Sequence, residues 1–175
     1  MWIFKDYRLM NIDEHKKILE IRNSEFVRNS SSDNKLITIE EHLKWVQNMD
    51  KSRCYMALFV KGNIEGGVNF TFYDKTVKNW GIFFSKTTMP LVSVAAVYLF
   101  IDYMFERFDV LNSEVLKENK RALEFNRYFG VEVVDEDEKF YKMKLTKEKW
   151  KNIKKNLDIY KRAQKIKYQF LCEGI

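Results

Sequence analysis

The sequence predicts an α/β fold: a mixed central sheet of about seven strands flanked by helices, plus an extra helix at the C-terminal end. Three observations predict it. Short apolar or alternating runs rich in β-branched and aromatic residues recur along the chain, which is the pattern of half-buried strands. Between them stand segments with helical spacing and recognisable caps. The order of the two kinds is β-α-α-β-β-β-α-β-α-β-β, so helices separate some strands while hairpins join others. A chain of 175 residues with 46% hydrophobic residues can bury one real core and is short for two.

Trp2–Leu9 alternates as a first strand. Asn11 or Asp13 then caps a helix that runs to about Arg22. "NSEFVRNSSSDNKL" is polar and turn-rich and reads as a loop of the kind that carries function. Thr38 followed by Glu41 forms a capping box that opens the helix "IEEHLKWVQNM". Three strands follow, "CYMALFVK", "IEGGVNFTFY" and "WGIFFSK", linked by the turns "KGN" and "DKTVKN". Pro90 suits the first turn of a long helix reaching about Phe108. "LNSEVL" is a strand and "NKRALEFNRYF" a helix with a Gly stop. "VEVVD" and "KFYKMKL" close a hairpin around the acidic turn Asp135–Glu138. On the helix before Gly130, the polar Asn126 shares the inward face with Ala122, Phe125 and Phe129. An inward amide there is either well paired or part of a site.

The composition narrows the function. No apolar run is long enough to span a bilayer, because Asp102, Glu106 and Arg107 interrupt the nearest one, so no membrane association is expected. The N-terminal "MWIFKDYRLM" lacks a signal-peptide layout. Cys54 and Cys172 make no disulfide framework and point to a reducing cytoplasm. Two His and two Cys, widely scattered, have no metal-ligand spacing, so no metal is expected. The net charge of +6 suits nucleic acid or a phosphate-rich small molecule equally. No nucleic-acid motif accompanies it, so no nucleic acid is expected. Many of the lysines lie in "KEKWKNIKKNLDIYKRAQKIK", which reads as a helix with Trp150, Ile153, Leu157 and Tyr160 on one face and a solvated basic face opposite. Residues 1–148 are expected to form one domain, and residues 149–175 a basic helical extension. The apolar stripe of that extension fits its own domain or a partner chain, so a homodimer is compatible with it.

The order of elements, together with "NWGIFFSK", the long helix and "SEVLKENKRALEFNRYFGV", resembles the GNAT acyl-CoA-dependent N-acetyltransferases. "IRNSEFVRNSSSDNKLITIEEHLKWVQNM" and "VVDEDEKFYKMKL" resemble the members that acetylate the 4-amino group of a UDP-linked amino-dideoxy sugar in pseudaminic acid biosynthesis. The resemblance covers residues 1–148. It implies direct transfer from acetyl-CoA, as co-substrate, to a nucleotide-sugar amine. The acetyl-CoA would lie between the strands "WGIFFS" and "NSEVLK", with its pyrophosphate on the following turn and helix start. Phe83, Phe84, Ser85, Val92, Ser93, Val94 and Asn119 are the cofactor contacts so implied. Glu114 matches a carboxylate that acts as base for the amine. Arg22 and His42 match residues that meet the nucleotide.

Two departures stand out. The family phosphate loop reads Q/R-x-x-G-x-G/A, and here "TMPLVS" places Leu91 and Ser93 where glycines are usual. The family also carries a Tyr seven residues after the helix-opening Asn, as acid for the leaving thiolate. Seven after Asn119 is Asn126. An amide cannot release a proton as a phenol can, although it can donate a hydrogen bond to sulfur or pair with backbone. Phe83 stands where relatives carry a Tyr that meets the substrate. Two alternatives therefore stay open: a GNAT-fold protein that binds a sugar nucleotide or a partner without CoA chemistry, and a GNAT protein acting on another amine.

Overall fold

The computed structural model describes residues 1–31 and 33–173. Its strands form an eight-stranded sheet in the order β6-β7-β5-β4-β3-β2-β1-β8. The sequence pattern predicts about seven. The added strand is β8 (Tyr168–Leu171), which pairs parallel to β1 (Trp2–Asp6). The chain divides into two compact units, described separately.

The first unit comprises Met1–Asn69, Ile82–Ser93 and the segment from Ile166 on. β1 runs antiparallel to β2 (Arg53–Val60), with Phe4 opposite Leu58. The first helix, α1 (Ile12–Asn23), is opened by Asn11, whose side chain accepts from the Asp13 and Glu14 amides. Glu14 returns the bond to the Asn11 amide, completing a capping box. The short α2 (Glu25–Arg28) lies inside the stretch read as loop, capped by Ser24. The predicted Thr38–Glu41 capping box opens α3 (Ile39–Gln47). β3 (Asn63–Tyr73) and β4 (Thr76–Phe84) run through both units. The consecutive glycines of β3 permit a close approach. A Cβ on Gly66 would overlap the Phe83 carbonyl, and one on Gly67 would lie 2.6 Å from the Phe83 ring.

The second unit comprises Phe70–Gly81 and Val94–Lys165. Most of α4 (Pro90–Arg107) lies in it, with Ala95–Ile101 fully buried. No described helix is long and apolar enough to cross a membrane. Asp102, which breaks its apolar run, accepts from Trp150 Nε1 at 2.8 Å and Lys154 Nζ at 2.6 Å. β5 (Val110–Leu116) pairs antiparallel with β7 (Phe140–Thr146), and β7 pairs with β6 (Glu132–Glu136), giving the predicted closing hairpin. Asn119 caps α5 (Lys120–Tyr128), and Gly130 takes the left-handed φ of +79° at its end.

The C-terminal extension is corrected. It is no single helix but α6 (Lys147–Ile153), a 3₁₀ turn, α7 (Tyr160–Ala163) and β8. Trp150, Ile159 and Ala163 are buried, a set that one straight helix could not present on one side. Residues 174–175 of that extension lie outside the described residues.

Candidate functional site

In the first unit the buried polar residues gather around Tyr7. His42, on α3, and His15, on α1, bring Nε2 and Nδ1 to 3.0 Å of each other. The Tyr7 ring lies 5.6 Å from His42, 6.2 Å from His15 and 5.9 Å from Tyr55. Trp45 meets Tyr55 edge-on at 4.7 Å. Burial lowers the pKa of His42 from 6.5 to about 4, reinforced by the neighbouring His15, and burial lowers that of His15 as well. Both imidazoles are therefore neutral near pH 7. One ring donates to the other in the shared hydrogen bond. Burial also raises the Tyr7 pKa, so its phenol stays protonated.

Arg22 belongs to this neighbourhood: its charge acts on both Tyr7 and Tyr55. Its Nη2 donates to the Asp33 carbonyl at 3.0 Å, while Nη1 is buried with no partner among the described residues. The adjacent Asn23, which sequence reasoning missed, closes the loop above it. Asn23 Nδ2 donates to the Ile37 carbonyl at 2.8 Å, and its Oδ1 accepts from the Ile37 amide at 3.0 Å. Arg28 adds bonds to the Asn23 and Asn34 carbonyls. The loop is thus held by paired backbone, and the structure brings Arg22 and His42 to the same aromatic cluster. Phe83, expected as a cofactor contact, packs its ring against that cluster too.

The turn after β4 is more self-satisfied than a phosphate loop usually is. The Ser85 amide donates to the Glu65 carbonyl at 2.8 Å, and Thr88 Oγ1 donates at 2.9 Å to the Glu65 carbonyl or carboxylate. Pro90 has no N–H. The Val92 and Ser93 amides donate to the Met89 carbonyl at 2.8 and 3.3 Å. Leu91 is exposed.

In the second unit β4 and β5 run parallel but pair only at Thr76–Val110 and Val77–Leu111. Where they part, Asn112 Nδ2 takes the Val77 carbonyl at 3.1 Å, a wedge that sequence reasoning also missed. Glu114 is exposed on β5, opposite Lys142 of β7. Ser113 faces the other way and is buried, its Oγ unpartnered among the described residues, as are Trp80 Nε1 and Asn126 Oδ1. Asn119 Oδ1 accepts from the Ala122 amide at 3.0 Å, the expected cap. Asn126 Nδ2 donates to the Ala122 carbonyl one turn back at 2.9 Å. The inward amide is therefore half paired: its nitrogen serves the helix and its oxygen serves nothing described.

No protein-family model matches the chain. It is 28% identical over 141 residues to Acetyltransferase PseH of Campylobacter jejuni subsp. jejuni serotype O:23/36 (strain 81-176), covering 78% of this chain and 88% of that protein. The crystal structure of Campylobacter jejuni N-acetyltransferase PseH in complex with acetyl coenzyme A superposes with a TM-score of 0.69 at 23% identity, over 83% of this chain and 99% of that one. The chain is thus similar in sequence to PseH and has the GNAT fold. A second likeness in architecture is to FdhC, a nucleotide-linked sugar GNAT solved in its apo form. Its TM-score is 0.73 at 18% identity, over 89% of this chain and 96% of that one.

Proposed function

We propose that this PseH-like protein is an acetyl-CoA-dependent N-acetyltransferase and that its acceptor is the 4-amino group of a nucleotide-linked, UDP-bearing amino-dideoxy sugar. One observation carries the acceptor half. Arg22 keeps a buried guanidinium nitrogen without an acceptor among the described residues, beside Tyr7 and in the cluster that holds His42. A diphosphate oxygen is the kind of group that satisfies it. Trp45 and Tyr55, partly buried beside the His42–His15 pair, give the nucleotide an aromatic surface. Acetyl-CoA supplies the activated acyl group as a thioester.

Glu114, exposed on β5, takes the proton that the attacking amine sheds, directly or through water. Asn119 keeps its Nδ2 for the pantetheine arm while its oxygen caps α5. Asn126 has no acidic proton, and its Nδ2 already serves Ala122, so the departing thiolate takes its proton from water. On the cofactor side, Phe84, Ser85 and Val94 contribute strand and helix-start backbone. Val92 and Ser93 contribute little while their amides serve Met89. Acetyl-CoA affinity is accordingly modest.

That same turn favours a second reading, a sugar-nucleotide binder without acyl transfer. Calorimetric titration with acetyl-CoA, then with a UDP-4-amino-4,6-dideoxy sugar, separates the two. Binding of both, followed by release of free thiol on mixing, supports the transferase. Sugar-nucleotide binding with no heat and no thermal shift at millimolar acetyl-CoA supports the second reading.

A further inference from the structure

Cys54 and Cys172 are 118 residues apart in the chain, yet their Sγ atoms lie 3.3 Å from each other. Cys54 sits on β2 and Cys172 directly follows β8, the strands on either side of β1. The side chain of Asp6, at the end of β1, lies within 3.9 Å of one sulfur and 3.5 Å of the other. Cys54 is fully buried and Cys172 partly exposed. β8 has four residues and lies at the edge of the sheet, where β1 is its one strand neighbour.

We infer that Cys54 and Cys172 form a reversible disulfide that fastens the terminal strand β8 to β2 when the protein meets a disulfide oxidant such as oxidised glutathione. A side-chain adjustment of roughly 1 Å brings the sulfurs to bonding distance. A metal ion fits the same atoms less well. Among the described residues only three donors converge, and the Arg8 guanidinium, 3.1 Å from the Asp6 carboxylate, repels a cation there.

Exposure assigns the first step to Cys172. Its thiolate attacks one sulfur of oxidised glutathione, giving a mixed disulfide and one glutathione thiolate. Cys54 loses its proton and attacks the Cys172 sulfur, and the second glutathione leaves. Both protons end on the two glutathiones: the protein pair is oxidised by two electrons and one glutathione disulfide is reduced. The Cys172 contact, burial and the Asp6 charge all raise the Cys54 pKa, so the closing step is slow. In a reducing compartment both residues remain thiols.

The test uses the full chain, reduced, freed of reductant and equilibrated with oxidised glutathione at neutral pH. The expected product is a monomer lighter by two hydrogens, with no titratable thiol after denaturation. Its melting midpoint should rise by on the order of 10 °C, because the bond closes a long loop in the unfolded chain. Cys172→Ser should fold normally and show no midpoint shift with the same treatment. A stable glutathione adduct on Cys172, an interchain disulfide, retention of both thiols, or stoichiometric zinc held by the untreated protein would each overturn the proposal.

Discussion

Around Tyr7 the buried polar groups meet one another. His15 bonds His42, Asn23 pairs with both backbone groups of Ile37, and rings fill the space between. Along β5, α5 and the adjoining stretch of β4 they do not. Ser113 Oγ, Asn126 Oδ1 and Trp80 Nε1 are buried without described partners. An orphaned buried polar group costs about 1–3 kcal/mol. Water or a ligand that reaches this region would complete these three hydrogen-bonding groups. The Tyr7 cluster, by contrast, leaves one such atom, Arg22 Nη1. On the proposed function, the first region is the acceptor surface with one charged anchor, and the second is a surface whose hydrogen bonds a ligand completes.

The sharpest way to break this comparison is Glu114→Gln. If β5 carries the proton transfer, kcat/KM should fall by roughly 10²–10⁴-fold with the fold intact, and an unchanged value in a steady-state assay would remove Glu114 from the mechanism. Next in size is Arg22→Ala. A lone charged anchor predicts a KM for the nucleotide sugar higher by about 10–100-fold with kcat little changed, whereas a fall in kcat alone would place Arg22 in the chemistry instead.

The histidine pair sharpens the first half through pH. With the His42 pKa lowered to about 4 in the fold, the unfolded chain takes the proton first, near pH 6.5. The contribution of neutral His42 is full above pH 6.5 and is lost as pH falls from 6.5 toward 4. After solvent screening it amounts to on the order of 2 kcal/mol. Melting midpoints across that window should drop for the native sequence and drop less for His42→Gln. The smallest effect tests the second half. Asn126→Leu removes an orphaned acceptor, so stability should hold or rise by about 1 kcal/mol. If the amide lies beside the leaving sulfur, turnover should nevertheless fall several-fold. A loss of stability with turnover preserved would make Asn126 a structural residue only.

Much of the fold was legible because its signals are local. The Thr38–Glu41 box, the Asn119 cap, Pro90 at the start of α4 and the Asp135–Glu138 hairpin are each contained in a few consecutive residues. The C-terminal extension was misread as one helix because its lysines and apolar spacing suit a helix locally. What breaks it is the burial of Trp150 beside Asp102 and the pairing of β8 with β1, contacts with distant residues. The candidate site divides in the same way. Arg22, His42, Glu114 and Asn126 could be nominated from motifs, and the half-paired state of Asn126 answers why an amide tolerates an inward face.

Local sequence thus determined most elements up to Thr146 and their caps, since hydrogen bonds to the next turn and side-chain periodicity act over a few residues. Only the tertiary structure decided that His15 meets His42 across 27 positions, that Asn112 wedges β4 from β5, and that Cys54 faces Cys172 across 118. Those contacts depend on which strands become neighbours, and that is settled by burial of the whole apolar surface at once rather than by any one segment.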